Sequence, residues 1–126
     1  MEIENKVIVV TGGSGGIGQA LAMSFINENA KVVIVLDINF DNFETESNKL
    51  ISKVCDVTKE KELNRIIDEI NLEFGLIDIF CSNAGILSLG NEQAPIEDWN
   101  KNWNLHVMSH VFAAKNLIPK MLKRGS

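Results

Sequence analysis

The chain has 126 residues, 45% of them hydrophobic and 23% charged, and a net charge of −5 at pH 7 that argues against nucleic acid or an anionic membrane as its main partner. No apolar run approaches the roughly 20 residues of a membrane-spanning helix, and residues 1–6 are acidic rather than basic, so we expect a cytoplasmic protein. The two cysteines, Cys55 and Cys81, lack disulfide or CxxC spacing, and we expect both to be reduced thiols.

Short apolar runs alternate with longer segments of helical period along the chain. Runs rich in β-branched residues, which are typical of buried parallel strands, predict strands at residues 7–10, 32–36, 51–55 and 77–81. Residues 38–49, between the second and third strands, are polar with weak periodicity, and they predict either a short helix or a loop.

Three stretches follow a helical period. The first is marked by apolar residues that share one helix face, namely Ile17, Leu21, Phe25 and Ile26. The second has Thr58 as its expected N-cap and Gly75 as its end. Its apolar stripe comprises Leu63, Ile66, Ile67, Ile70 and Phe74. The third is a long helix over residues 96–122, which Pro119 should kink near its end.

This order of elements predicts a fold class. Strands that alternate with helices form parallel sheets through right-handed crossovers, with helices on both faces. We therefore expect residues 1–126 to form a single α/β domain of the doubly wound, Rossmann type. In such a sheet the ligand binds at the carboxyl ends of the strands, so the residues that follow each strand are candidates for the site.

A glycine-rich loop, Thr-Gly-Gly-Ser-Gly-Gly-Ile-Gly at residues 11–18, lies directly between the first strand and the first helix. Glycines here allow a sharp turn, close approach to a pyrophosphate and tight packing of the helix on the strand. Free N–H groups and the positive dipole end of the helix would face the phosphates, so that no Lys or Arg is needed. A flexible turn without a ligand is the alternative interpretation.

Asp37 follows the second strand, 19 residues after Gly18. A carboxylate at this place accepts hydrogen bonds from the hydroxyl groups of the adenosine ribose and repels a 2′-phosphate. The glycine loop contains no Lys or Arg, and Ile38 follows the aspartate, which also favours NAD(H) over NADP(H). The alternative is an aspartate that only faces solvent.

Three motifs in register resemble the short-chain dehydrogenase/reductase family, and the resemblance covers the whole chain. They are Thr-Gly-x-x-x-Gly-Ile-Gly at residues 11–18, Cys-Asp-Val-Thr at residues 55–58 and Ser-Asn-Ala-Gly at residues 82–85. The glycine loop also fits the Thr-Gly-x-x-Gly-x-x-Gly spacing of the family's longer, sugar-nucleotide-modifying branch, but Asn-Ala-Gly is similar to the shorter dehydrogenase branch. The chain differs at Ser82, where the family often has Asn, and in the short interval between Asp37 and Asp56.

The resemblance implies which residues contact the dinucleotide. The pyrophosphate and its ribose would be surrounded by Gly12, Ser14, Gly16, Ile17 and Gly18. Asp37 would hold the adenosine ribose, while Asp56 and Val57 would contact the adenine. The centre of the sheet would be supported, and the nicotinamide ribose lined, by Asn83, Ala84 and Gly85.

The long helix carries two histidines four residues apart, His106 and His110. That spacing could place two metal ligands on one face, but His-Val-Met-Ser-His lacks the glutamate of zinc proteases and an obvious third ligand, so we expect no metal site. The resemblance gives His106 another meaning. It occupies the place of the family's catalytic Asn, seven residues after Trp99 and thirteen before Pro119, and it is the catalytic candidate of this chain.

The chemistry that the resemblance implies is incomplete in this sequence. The family uses a Tyr as proton donor, a Lys four residues later and a preceding Ser, all on or after a fifth strand, and the sequence contains no tyrosine. We expect the NAD(H)-binding half of an oxidoreductase for an alcohol or ketone, truncated before the fifth strand and without turnover of its own. The alternatives are a stand-alone nucleotide-binding module and an interaction module that uses the long helix.

The expected truncation has a structural consequence. By analogy with the family the strand order would be 3-2-1-4, which leaves the fourth strand as an open edge and part of the long helix uncovered. We therefore expect aggregation, or a homo-oligomer in which a second copy covers these surfaces.

Overall fold

The computed structural model describes residues 1–125. The strands are β1 (Val7–Thr11), β2 (Val32–Asp37), β3 (Leu50–Val54) and β4 (Ile79–Cys81). The helices are α1 (Gly16–Asn27), α2 (Glu60–Phe74), α3 (Ile96–Trp103) and α4 (Ser109–Arg124), and a π-helical turn at Asn104–Met108 joins the last two. The four predicted strands are all present, with ends within two residues of the predicted ones, and each of the three predicted helical stretches is helical.

The four strands form one parallel sheet in the order β3-β2-β1-β4. Alternate residues of the two inner strands point to opposite faces. Val9 and Ile34 belong to a buried cluster with residues of α2 and α4, whereas Val10 and Val33 pack with Ala22 of α1. Helices therefore cover both faces of a parallel sheet, which confirms the predicted doubly wound α/β fold and its strand order.

Helix α2 packs on the sheet through the apolar stripe predicted for it. The stripe residues Leu63, Ile66, Ile67 and Ile70 are buried, and Phe74 packs at the edge of the same cluster. Polar contacts join α2 to α4, since Lys115 lies 2.9 Å from Glu60 and Lys120 lies 3.1 Å from Asp68. The helix is followed by Gly75, whose φ of 107° favours glycine.

The prediction that Thr58 caps α2 is wrong. The N-cap position is held by Lys59, without a side-chain hydrogen bond, and the helix begins at Glu60. The Thr58 hydroxyl donates to the Asp56 carboxylate at 2.6 Å, and the Thr58 N–H donates to the same oxygen at 3.0 Å. A carboxylate two residues away is a strong acceptor, so the hydroxyl turns away from the helix.

Helix α1 differs from its predicted face in the first turn. Leu21, Phe25 and Ile26 pack against the sheet as predicted. Ile17 does not, because the first turn lies at the carboxyl edge of the sheet, where its side chain is 73% exposed and lines a cavity.

Residues 38–49 form a loop rather than a short helix. The rings of Phe40 and Phe43 pack edge to face, with their centroids 5.2 Å apart. Both side chains also pack against the cluster between α1 and the sheet, so apolar contacts fix the course of the loop.

The long helix is not α-helical throughout. The π-helical turn interrupts it in the middle, and the second part continues beyond Pro119 to Arg124. It ends at Gly125, which has a left-handed conformation with φ 84°. Within residues 1–125, no helix combines the length and the apolar character needed to cross a membrane.

Candidate functional site

A cavity of about 590 Å³ lies at the carboxyl edge of the sheet. It is bounded by the segments that follow all four strands and by two residues of the long helix, and its volume is in the range of small-molecule sites. Ten residues predicted to contact a dinucleotide line it, namely Gly12, Ser14, Ile17, Gly18, Asp37, Asp56, Val57, Asn83, Ala84 and Gly85. Gly16 is the predicted residue that does not line it; its φ is 54°.

The glycine loop is packed too tightly for side chains at two positions. A Cβ atom at Gly18 would lie 2.1 Å from the Gly12 carbonyl oxygen. Gly12 has φ 66°, and a Cβ atom there would lie 2.8 Å from the Ala84 Cα. The N–H groups of Gly12 and Gly13 donate to the Leu36 carbonyl, at 2.7 and 3.3 Å. The loop is therefore held between β2, the first turn of α1 and the segment after β4.

The first turn of α1 has the features of an anion site. Gly15 occupies the N-cap position without a side-chain hydrogen bond, and the first turn has no acidic residue. The N–H groups of a first helical turn have no acceptor within the helix. They face negative groups favourably because the helix dipole is positive at this end. The loop can therefore accept phosphate groups through its backbone.

Asp37 lies beside this loop, at the end of β2. Its Oδ2 accepts hydrogen bonds from the Ser14 hydroxyl at 2.7 Å and from the Ser14 N–H at 3.2 Å. Its Oδ1 accepts one from the Ile38 N–H at 2.8 Å. The predicted ribose-binding carboxylate is thus held in place at the rim of the cavity.

Thr11 joins the glycine loop to the segment after β4, and this role was not predicted. Its hydroxyl oxygen accepts hydrogen bonds from the N–H groups of Asn83 and Ala84, at 2.9 and 3.0 Å, and donates to the Cys81 carbonyl at 3.4 Å. The Asn83 amide donates to the Thr11 carbonyl at 3.1 Å. The one available signal was the position of Thr11, directly before the first glycine.

Cys55 and Asp56, which follow β3, line the cavity. The Asp56 N–H donates to Glu62 Oε1 at 3.1 Å. Burial, together with the nearby carboxylates of Glu62 and Asp56, raises the pKa of the Cys55 thiol to about 12. Burial also raises the pKa of Cys81. Both cysteines are free thiols, as predicted.

His106 lies next to the cavity, in the π-helical turn, but does not line it. Its Nε2 is 3.0 Å from the Ile86 carbonyl oxygen and 3.3 Å from the Ile86 nitrogen. A single ring nitrogen either donates to the carbonyl or accepts from the N–H, depending on the tautomer. A Cβ atom at Gly85 would lie 2.8 Å from the His106 ring, so the histidine packs directly on the segment after β4.

His110 has a separate partner. Its Nδ1 is 2.5 Å from the Ser82 hydroxyl, at the end of β4. The two histidines therefore contact different residues rather than a common centre. Among residues 1–125, no group of three His, Cys, Asp or Glu side chains is placed to hold a metal ion.

The long helix supplies two further residues to the cavity, Lys101 and Leu105. Sequence reasoning missed both. They are four residues apart and so share a helix face, but the sequence does not show that this face is turned to the carboxyl edge of the sheet.

The comparison with known proteins identifies the family. Residues 6–126 match the family model described as short chain dehydrogenase. The chain belongs to this family. Among curated short-chain dehydrogenases, dehydrogenase/reductase SDR family member 6 from Aquarana catesbeiana is 38% identical over 130 residues, which cover 98% of this chain and 50% of that protein.

Solved structures of short-chain dehydrogenases agree with the fold. One from Leptospira borgpetersenii with bound NAD⁺ is 26% identical with a TM-score of 0.88, and the match covers 98% of this chain and 49% of that one. L-Sorbose reductase from Gluconobacter frateurii, in complex with NADPH and L-sorbose, is 29% identical with a TM-score of 0.84. This match covers 99% of this chain and 51% of the reductase chain. The chain spans about half the length of the curated relatives it matches.

Proposed function

We propose that this chain binds NAD(H) in preference to NADP(H), as the cofactor-binding half of a short-chain dehydrogenase that acts on an alcohol or ketone. The observation that carries the proposal is the Asp37 carboxylate, which the Ser14 and Ile38 N–H groups hold beside the uncapped start of α1. A diphosphate fits the helix start, and a sugar with free hydroxyl groups fits the carboxylate.

In this proposal each part of the dinucleotide lies in or beside the cavity. The pyrophosphate is surrounded by the loop residues Gly12, Ser14, Gly16, Ile17 and Gly18. The adenosine ribose is held by Asp37 and the adenine by Asp56 and Val57. The nicotinamide ribose is lined by Asn83, Ala84 and Gly85. When bound, the nicotinamide ring donates or accepts a hydride.

The preference for NAD(H) rests on charge. Structural neighbours of this chain contain NAD⁺ in one case and NADPH in another, so the family alone does not decide the cofactor. A 2′-phosphate beside Asp37 would place two negative groups together at a partly buried site. The hydrogen-bond partners of Asp37, Ser14 and Ile38, are uncharged and would not neutralise that phosphate.

Titration calorimetry with NADH and NADPH tests the proposal. The wild-type protein should bind NADH about tenfold more tightly than NADPH, and Asp37→Asn should weaken NADH binding about tenfold because it removes the charged acceptor. The same change should improve NADPH binding, since it removes the repulsion. Asp41→Asn is the matched control: Asp41 is an exposed aspartate in the loop after β2, outside the cavity.

The control should leave both affinities unchanged. The proposal fails if a folded wild-type sample binds neither NAD⁺ nor NADH at millimolar concentrations. A wild-type protein that binds NADH and NADPH equally well would refute the preference alone.

We also propose that the chain by itself has no turnover. The family resemblance implies a tyrosine as proton donor, and the sequence contains none. His106 takes the place of the family's catalytic Asn in this proposal, and its observed contacts with Gly85 and Ile86 suit a residue that holds the nicotinamide end of the site. A panel of alcohols and ketones with NAD⁺ or NADH should therefore give no change in NADH absorbance.

A second function is favoured by the exposed apolar residues of the long helix. Trp99, Trp103 and Leu122 are 53%, 59% and 75% exposed. Large apolar side chains at the surface are typical of contact sites between proteins. We propose that this helix also mediates assembly, with a second copy of the chain as the partner.

A further inference from the structure

The Asp37 carboxylate is bonded to the glycine loop by groups of the chain itself. Its Oδ2 accepts hydrogen bonds from both the hydroxyl and the N–H of Ser14, and its Oδ1 accepts one from the Ile38 N–H. Ser14 precedes Asp37 by 23 residues. These bonds therefore join two segments that are distant in the sequence, at the place proposed for the adenosine ribose.

The number of acceptor positions on this carboxylate is limited. An ionised carboxylate offers about four lone-pair positions, two on each oxygen. The chain itself uses three of them, two on Oδ2 and one on Oδ1. A ribose that donates both its 2′- and 3′-hydroxyl groups to Asp37 needs two positions, and one is open.

Of the three donors, only the Ser14 hydroxyl can leave easily. The N–H groups of Ser14 and Ile38 belong to backbone that is fixed by neighbouring bonds, including those from Gly12 and Gly13 to the Leu36 carbonyl. The Ser14 hydroxyl is on a side chain that can rotate to another staggered position without moving the backbone.

We propose that Ser14 is a specificity-determining residue of the adenosine site, because its hydroxyl occupies the Asp37 position that a second ribose hydroxyl requires. The inference rests on the proposed function, since it concerns the same site. Binding of the sugar through both hydroxyls exchanges one O–H donor on Oδ2 for another. The second ribose hydroxyl therefore adds little affinity in the wild-type protein, and it adds more once the Ser14 hydroxyl is removed.

The experiment is a calorimetric titration with ADP, 2′-deoxy-ADP and 3′-deoxy-ADP. These probes carry the diphosphate and the adenosine sugar, and the deoxy forms each lack one donor. In the wild-type protein either deoxy nucleotide should bind within about threefold of ADP, because one hydroxyl fills the open position. The Ser14→Ala variant should bind ADP about fivefold more tightly than the wild-type protein does. In this variant 2′-deoxy-ADP should bind about tenfold more weakly than ADP.

Two further variants separate this role from a structural one. Ser14→Thr keeps a hydroxyl and should restore the small wild-type difference between ADP and 2′-deoxy-ADP. Ser24→Ala removes an exposed hydroxyl of α1 outside the cavity and should change no affinity. Circular dichroism establishes that each variant is folded.

The outcomes distinguish the two proposals. The inference would be overturned if removal of the 2′-hydroxyl lowered the affinity equally in the wild-type protein and in Ser14→Ala. That result would leave the proposal of NAD(H) binding intact. The inference would also be overturned if the wild-type protein bound either deoxy nucleotide about tenfold more weakly than ADP. A folded wild-type protein that binds neither ADP nor NADH would overturn the proposed function, and the inference with it.

Discussion

Gly18 is a position where the close approach of two backbone segments excludes a side chain. Replacement by alanine would place a Cβ atom 2.1 Å from the Gly12 oxygen and 2.8 Å from the Asn83 amide nitrogen. Because backbone atoms have to shift, Gly18→Ala should lower the free energy of unfolding by about 3 kcal/mol, measured by urea denaturation. It should also weaken NADH binding, since the loop would move.

Gly15 provides the matched control for this substitution. A Cβ atom there would meet no atom within 4 Å, and its φ of −166° is open to any residue. Gly15→Ala should cost about 1 kcal/mol or less, the usual effect of alanine at an N-cap. Equal destabilisation by the two changes would contradict the packing argument.

The residues of the site differ in how far the sequence could identify them. The glycines and Asp37 follow strands, and the carboxyl ends of parallel strands meet at one edge, so their proximity was predictable. The bond between Ser14 and Asp37 was not, because it depends on the loop conformation. The contact between His106 and Ile86 was equally hidden, since it joins residues that are 20 positions apart.

At the scale of elements, α2 offers a direct test of the predicted amphipathic pattern. Ile67 is fully buried between α2 and the sheet, whereas Leu72 on the same helix is 90% exposed. Ile67→Ala should lower the free energy of unfolding by about 3 kcal/mol through lost burial and the cavity left behind. Leu72→Ala should change it by about 0.5 kcal/mol or less.

Urea denaturation measures both variants. The denaturant midpoint should fall for Ile67→Ala with little change in the slope m, because the surface exposed on unfolding stays nearly the same. If Leu72→Ala were as destabilising as Ile67→Ala, the assignment of the buried face would be refuted.

The elements that the sequence predicted less well are those shaped by contacts with other elements. The loop at residues 38–49 carries few apolar residues, so Phe40 and Phe43 could belong to a helix or a loop until their packing was known. The π-helical turn at Asn104–Met108 lies in a stretch of ordinary helical period. Such turns are frequent at functional sites, and this one contains His106.

At the scale of the whole molecule, the exposed apolar surface predicts self-association. β4 pairs with β1, and within residues 1–125 no strand pairs with its other side. The exposed apolar residues of the long helix recur at helical spacings, and they comprise Ile96, Trp99, Trp103, Val111, Ile118 and Leu122. Sedimentation velocity should therefore show dimers or larger species whose proportion rises with protein concentration.

Variants locate the surface responsible. Ile118→Lys, at a side chain that is 51% exposed on α4, should shift the population towards monomers. Leu72→Lys, on the exposed side of α2, should leave the distribution unchanged. A wild-type protein that remains a monodisperse monomer at all concentrations, and unfolds in a single two-state calorimetric transition, would contradict the prediction.

The sequence by itself determined the fold class, the strand order by family resemblance, and the set of residues at the carboxyl edge of the sheet. It could do so because strand and helix periods, glycine turns and strand-end residues are local properties, and parallel strands bring their carboxyl ends to one edge of the sheet. Tertiary structure alone decided that Ser14 bonds to Asp37, and that the Thr58 hydroxyl donates to Asp56 instead of capping α2. It also decided that Lys101 and Leu105 line the cavity. These contacts depend on the distances and angles between side chains and their neighbours in the folded chain, and a linear pattern does not contain those.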